Sequence, residues 1–153
     1  MAMTMSGDVQ LPATREAVWA KLNDPNVLKA CIPGCEELEK TDETNFRAVA
    51  KMKVGPVSAR FRGKVMLSDL DPPNGYKITG EGEGGVAGFA KGGATVGLAE
   101  KDGGTLLTYN VEAQIGGKLA QLGQRLINSA AKKLADEFFA NFAKAVEGSA
   151  NAA

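Results

Sequence analysis

Histidine is missing from all 153 residues of this chain. Without an imidazole there is no Ser-His-Asp or Cys-His catalysis, no ordinary general base near neutral pH, and little to hold a transition metal. Cysteine is nearly missing too. Cys31 and Cys35 cannot make a disulfide framework, and their spacing is one residue longer than the redox C-x-x-C, with no further ligand in sight. They read as small apolar side chains around a Pro33-Gly34 turn. Net charge is also lacking, with 18 basic residues against 18 acidic. With no Lys/Arg run and no aromatic RNA-binding motif, nucleic acid is not an expected partner. No stretch approaches the ~20 consecutive apolar residues that cross a bilayer, and Met1 to Pro12 lacks the basic-then-apolar order of a secretion signal. The expectation is one soluble cytoplasmic domain over 1–147 with a flexible tail, 148–153, no metal, no covalent cofactor and no catalytic residue.

The strands lack something as well: side-chain volume. Alternate residues run Tyr76, Ile78, Gly80, Gly82, then Gly88, Ala90, Gly92, Ala94, Val96, Leu98, while Lys77, Thr79, Glu81 and Glu83 lie between the first set. Side chains alternate across a strand, so the Gly/Ala set faces inward. An empty apolar hole costs ~24 cal/mol per Å³. Extended to a small binding pocket of ~300 Å³, that is ~7 kcal/mol, comparable with a domain's whole stability of ~5–15 kcal/mol. Such a space is collapsed, wetted or occupied. Occupation by an apolar molecule is one reading; filling by Phe138, Phe139 and Phe142 is the other.

Met3 to Leu11 alternates as a strand. Thr14 caps a short helix through about Asn23, and Pro25 opens a second one ending before Pro33-Gly34. From Glu36 onward, strands are separated by turn signals at Asp42-Glu43-Thr44, Gly55-Pro56, Asp71 to Gly75, Gly84-Gly85 and Asp102-Gly103, which favours an antiparallel meander. Inward sets are Phe46, Ala48, Ala50, Met52; Val57, Ala59, Phe61, Gly63, Val65, Leu67; and Leu107, Tyr109, Val111, Ala113, Ile115. After Gly116-Gly117 the period becomes helical, through Leu119, Leu122, Leu126, Ala130, Leu134, Phe138 and Phe142, which predicts one long helix over about Lys118 to Val146. The fold class is therefore α+β: a curved antiparallel sheet wrapped on a long C-terminal helix, with two short helices after the first strand.

An apolar ligand would meet Phe46, Phe61, Val65, Tyr76, Ile78, Gly80, Gly92, Ala94, Val96, Tyr109 and Val111 on the sheet, and Leu122, Leu126 and Ala130 on the helix. The Tyr76 and Tyr109 hydroxyls either hydrogen-bond near the rim or contact a ligand carbonyl or ring. Gly80 to Gly85 matches G-x-G-x-x-G, but no helical pattern follows and Glu81 and Glu83 would repel a pyrophosphate. On the outer face, Arg47, Lys51, Lys53 and Arg60 form a basic stripe, with Lys51 opposite Arg60 and no acidic neighbour expected there. Lys64 and Arg62 are expected to meet Glu81 and Glu83. The stripe is either a solvated face or a docking surface for an acidic partner or anionic lipid.

Val18-Trp19 with Leu22, Asn23-Asp24-Pro25, Ile32-Pro33-Gly34-Cys35-Glu36-Glu37-Leu38-Glu39, Gly104-Thr105 with Tyr109, Ile115-Gly116-Gly117-Lys118-Leu119-Ala120, Gln124-Arg125-Leu126-Ile127 and Phe138-Phe139 resemble the CoxG-like family associated with carbon monoxide dehydrogenase. The resemblance covers roughly Met3 to Ala145. It implies a START-like helix-grip fold holding a hydrophobic ligand between sheet and helix. It also implies a non-catalytic accessory role for a molybdenum hydroxylase of the carbon monoxide dehydrogenase kind. A quinone or other isoprenoid lipid is the expected ligand, with peripheral contact at the inner face of the cytoplasmic membrane. A maturation or assembly module without a lipid, and a cyclase or hydrolase of the wider superfamily, are the alternatives.

Overall fold

The computed structural model describes residues 1–151, with side chains through Glu147. The strands are β1 (Ala2–Leu11), β2 (Cys35–Lys40), β3 (Asn45–Val54), β4 (Val57–Asp71), β5 (Gly75–Glu83), β6 (Phe89–Lys101) and β7 (Gly104–Gly116). They form one antiparallel sheet in the order β1-β7-β6-β5-β4-β3-β2. Helices α1 (Arg15–Leu22) and α2 (Pro25–Cys31) follow β1. The Thr14 hydroxyl accepts from the Ala17 N–H at 3.2 Å, and the Asp24 carboxylate accepts from Asn26 at 2.9 Å ahead of Pro25. Each short helix thus has a side-chain cap at its N-terminus.

Register confirms the inward sets. Phe46 pairs with Val65, Val65 with Gly80 and Gly80 with Gly92; Tyr76 pairs with Val96, and Val96 with Tyr109. Gly88 departs from its expected place. It closes a 3-10 turn over Gly85–Ala87 at φ 117°, and β6 starts one residue later. A Cβ there would collide with the Gly116 carbonyl.

The C-terminal helix also departs from expectation, because it is not continuous from Lys118. A four-residue turn, α3 (Lys118–Gln121), is separated from α4 (Gln124–Asn151) by Leu122 and Gly123. Gly123 sits at φ 90°, a left-handed conformation that glycine adopts without steric cost. The kink rotates the helix, so Ile127 is buried and Leu126 is left 37% exposed. The periodicity alone places Leu126 on the inward stripe. The tail expected at 148–153 is helical in backbone as far as Asn151, and Ala152 and Ala153 lie outside the described residues.

Two apolar clusters form between the sheet and the helices. The larger joins Leu11, Val18, Leu22, Phe46, Tyr76, Val96, Leu98, Leu107, Phe142 and Val146 under α1 and α2. The smaller joins Met3, Ile115, Leu119 and Ile127, with Phe61, Val111 and Leu122 against it. Thr105, fully buried, ties β7 to the start of α1 by donating from Oγ1 to the Ala13 carbonyl at 2.8 Å. Thr105→Val keeps the volume and removes that donor from a buried carbonyl. It should cost ~1–3 kcal/mol of stability, read by urea unfolding, with a near-neutral result counting against this role.

Candidate functional site

The smallest inward residues fall into adjacent rows of the sheet. Ala48, Gly63, Gly82 and Ala90 align across β3 to β6, and the next row carries Val65, Gly80, Gly92 and Ala113 across β4 to β7. Ala94 extends the patch between Ile78 and Val111. Although they face the helix side, Ala48, Gly63, Gly80, Gly82, Ala90, Gly92, Ala94 and Ala113 are only half-buried. The α4 backbone comes near β1 and, less extensively, β3, on opposite sides of the central strands, while its Phe139 stacks on Tyr109 of β7 at one end. Away from that end, the central strands form the floor of a trough beneath it.

The space above that floor can be measured at the glycines. A Cβ at Gly82 would meet only the Arg62 carbonyl oxygen, at 3.9 Å. At Gly63 the nearest atoms are the Glu81 carbonyl and Gly82 Cα, and at Gly80 they are Lys64 and Val65; all belong to neighbouring strands. No α4 atom is among them. Gly92 is different, since its Cβ would collide with the Glu112 carbonyl of β7. That glycine is required by the close approach of two strands, not by the trough.

The expected ligand residues divide into three groups. Phe46, Tyr76 and Val96 belong to the larger core, with Val65, Ile78 and Tyr109 packed against it. Phe61, Val111 and Leu122 pack on the smaller one. Gly80, Gly92, Ala94 and Ala130 are half-buried between the ends, whereas Leu126 leans toward the Gly55 turn. The helix aromatics fill one end: Phe138 and Phe142 stack at 5.7 Å, Phe138 meets Phe139 edge-on at 5.1 Å, and Phe139 stacks on Tyr109 at 5.2 Å. Tyr109 lies over Gly7, and its hydroxyl reaches the β1 margin. There a cleft of about 380 Å³ is lined by Met5, Gly7, Tyr109, Ala131, Lys132 and Asp136. Tyr76 packs edge-on against Trp19 at 5.3 Å, and burial pushes its hydroxyl above the ordinary tyrosine range.

The thiols are not activated. Burial raises Cys31, and for Cys35 burial outweighs the opposing pull of Lys29. No cluster of three metal-ligating side chains occurs among the described residues.

Outside the sheet, the expected cross-strand pairs Lys64–Glu81 and Arg62–Glu83 are in register, as are Lys51–Arg60 and Arg47–Lys64. The expectation that Arg60 lacks an acidic neighbour is corrected by β2. Glu36 accepts from Arg60 Nε at 2.7 Å, and Glu39 accepts from Arg47 at 2.7 Å. The Arg60 hydrogen bond holds the Glu36 carboxyl below its usual range. Such exposed pairs add little to stability, but they neutralise half of the stripe and leave Lys51 and Lys53. An open concavity of about 1040 Å³ on this face is rimmed by Arg47, Arg62, Lys64, Glu81, Glu83 and Lys91.

The family model of CoxG, a carbon monoxide dehydrogenase subunit, matches residues 7–147. The chain belongs to the CoxG family. Among solved structures, a conserved protein from Geobacillus kaustophilus is 35% identical to this CoxG-family chain, with a TM-score of 0.90 over 96% of this chain and 97% of that one. The ZhuI aromatase/cyclase from Streptomyces sp. R1128 is 12% identical, with a TM-score of 0.69 over 96% and 94%. Ara h 8.0201 is 14% identical, with a TM-score of 0.64 over the full length of both. No curated protein matches the sequence. These likenesses share the helix-grip fold, a curved sheet closed by a C-terminal helix. Among the described residues, no helix is long and apolar enough to cross a membrane.

Two glycine substitutions separate empty space from backbone crowding in this CoxG-family trough. Gly82→Leu should fold, with a melting temperature equal to or above the parent, because its side chain enters open space. Gly92→Ala should lose ~1–3 kcal/mol through forced strand displacement. Circular dichroism melts decide it, and equal damage from both would remove the trough.

Proposed function

We propose that this chain is a non-catalytic carrier of an apolar ligand, a quinone or other isoprenoid lipid. It would serve a molybdenum hydroxylase of the carbon monoxide dehydrogenase kind and link that enzyme to the membrane quinone pool. The observation that carries the ligand is the contiguous floor of Gly63, Gly80, Gly82, Ala90, Ala94 and Ala113, half-buried on the helix side, with no α4 atom among the nearest neighbours of a Cβ placed at Gly63, Gly80 or Gly82. An apolar guest would replace the missing side-chain volume and gain ~25 cal/mol for each Å² of apolar surface it removes from water. The partner enzyme rests on family membership.

A carrier reading is favoured over a cyclase by what lines the trough. The rows over the floor are apolar, the Tyr76 hydroxyl is held protonated by burial, and the Tyr109 hydroxyl is turned to the β1 margin. Acid–base catalysis needs titratable groups within reach of one reacting atom, and the trough offers none at its centre among the described residues.

Solvent extraction of the purified protein followed by mass spectrometry should release an isoprenoid quinone or lipid. Stripped protein should bind decylubiquinone in gel filtration. Gly82→Leu and Ala94→Leu should each weaken that binding about tenfold or more, since filling a pocket displaces its guest. Undiminished binding in both folded variants would place the ligand elsewhere, and no binding by the parent would favour an assembly role without cargo.

A further inference from the structure

The inward rows of the trough do not stop at β7. Register carries Gly80, Gly92 and Ala113 on to Met3 of β1, and Ile78, Ala94 and Val111 on to Met5. The next row ends on Gly7, opposite Tyr109. Because Gly7 has no side chain, the Tyr109 ring can lie across it, and a Cβ there would collide with the phenol oxygen. The floor thus runs sideways into the cleft of about 380 Å³ between β1 and α4. β1 is an edge strand, so no further strand closes that side.

The walls change character at this margin. Met3 and Met5 supply apolar surface, while Tyr109, Asn128, Lys132 and Asp136 bring polar atoms. The last three recur every fourth residue on α4 and share one face of it. Strand parity turns the side chains of Thr4, Ser6 and Asp8 to the other side of the sheet. Stacking on Phe139 holds the Tyr109 ring in place. A phenylalanine would stack as well, so the hydroxyl is not there for packing. Among the described residues that hydroxyl has no hydrogen-bond partner, and it is not sealed from solvent. The Asn128 amide oxygen accepts from Gln124 at 3.0 Å, which leaves its NH2 as a donor. Lys132 donates to Asp136 at 2.9 Å and keeps further N–H donors free. That hydrogen bond raises Lys132 above the ordinary lysine range, and Tyr109 adds in the same direction.

We propose that this cleft is a head-group subsite, which seats a ring carbonyl of a quinone between Tyr109 and Lys132 while the apolar remainder lies along the trough. Unpaired donors at the edge of an apolar floor suit a ligand that is apolar along its length and carries an acceptor at one end. Asp136 balances the ammonium, so the cleft offers no surplus positive charge to a phosphate. A neutral carbonyl is the acceptor that fits. The subsite rests on the carrier function proposed above and adds to it the direction in which the ligand lies.

Two variants of the full chain test it. Tyr109→Phe keeps the stack on Phe139 and removes the hydroxyl, and Lys132→Met keeps the stem and removes the ammonium. Equilibrium dialysis compares decylubiquinone with decylbenzene, which has the same tail and no carbonyl. The parent should prefer decylubiquinone, and each variant should cut that preference about three- to tenfold, the yield of one hydrogen bond. The infrared carbonyl band of bound decylubiquinone should lie below that of the quinone in hexane, because a hydrogen bond weakens C=O, and should return toward it in both variants. An unchanged preference and band in either variant would overturn the subsite. So would equal losses for both compounds, which mark the residue as structural. Tighter binding of geranylgeranyl phosphate than of decylubiquinone, lost in Lys132→Met, would overturn the carbonyl assignment. If the parent binds decylbenzene as well as decylubiquinone, the carrier function stands and the subsite fails; if it binds neither, both fail.

Discussion

Four central strands of this protein present too little side-chain volume to the helix that covers them. Gly63, Gly80, Gly82, Ala90, Gly92 and Ala113 belong to different strands, yet register places them side by side. A scattered set of small residues would be absorbed by larger neighbours. A contiguous set leaves a region in which α4 has nothing to pack against, and the rest of the architecture follows from holding the helix across it.

That support comes from the two ends. Under α1 and α2, Phe138, Phe139 and Phe142 stack with one another and with Tyr109, and fully buried Phe142 and Val146 lock the helix to Leu11, Val18 and Leu107. At the opposite end Ile127 and Leu119 rest on Met3 and Ile115. The left-handed Gly123 lets α3 and α4 take different directions there, so Ile127 packs inward while Leu126 closes on the β3–β4 turn. A helix pinned at both ends leaves the middle free to hold a guest without asking the fold to collapse. It also explains how a domain with few aromatics keeps a defined core.

Much of this was legible in the alternation. The inward and outward sets of β3, β4, β5 and β7, the Lys64–Glu81 and Arg62–Glu83 pairs, and the Thr14 and Asp24 caps all follow from local rules of period and capping. Three features were not legible, each for a physical reason. The α3–α4 break hangs on Gly123, and a glycine inside a helical period gives no sign of whether its φ will be positive. The partners of Arg47 and Arg60 come from β2, so their neutralisation is a matter of strand order, not of local pattern. The alignment of the small residues across four strands depends on where each hairpin turns; moving the Gly84–Gly88 loop by one residue would have sent Gly92 to the other face.

The functional reading turns on the division of the core into two clusters with an apolar gap between them. Diffraction from ligand-stripped crystals equilibrated under xenon gas tests that division directly, since xenon enters dry apolar cavities and leaves packed cores alone. Xenon density is expected over Gly82 and Gly80, between the floor of the trough and the Ala130–Leu134 segment of α4. A xenon-free trough with α4 side chains in van der Waals contact with Gly80 and Gly82 would contradict it.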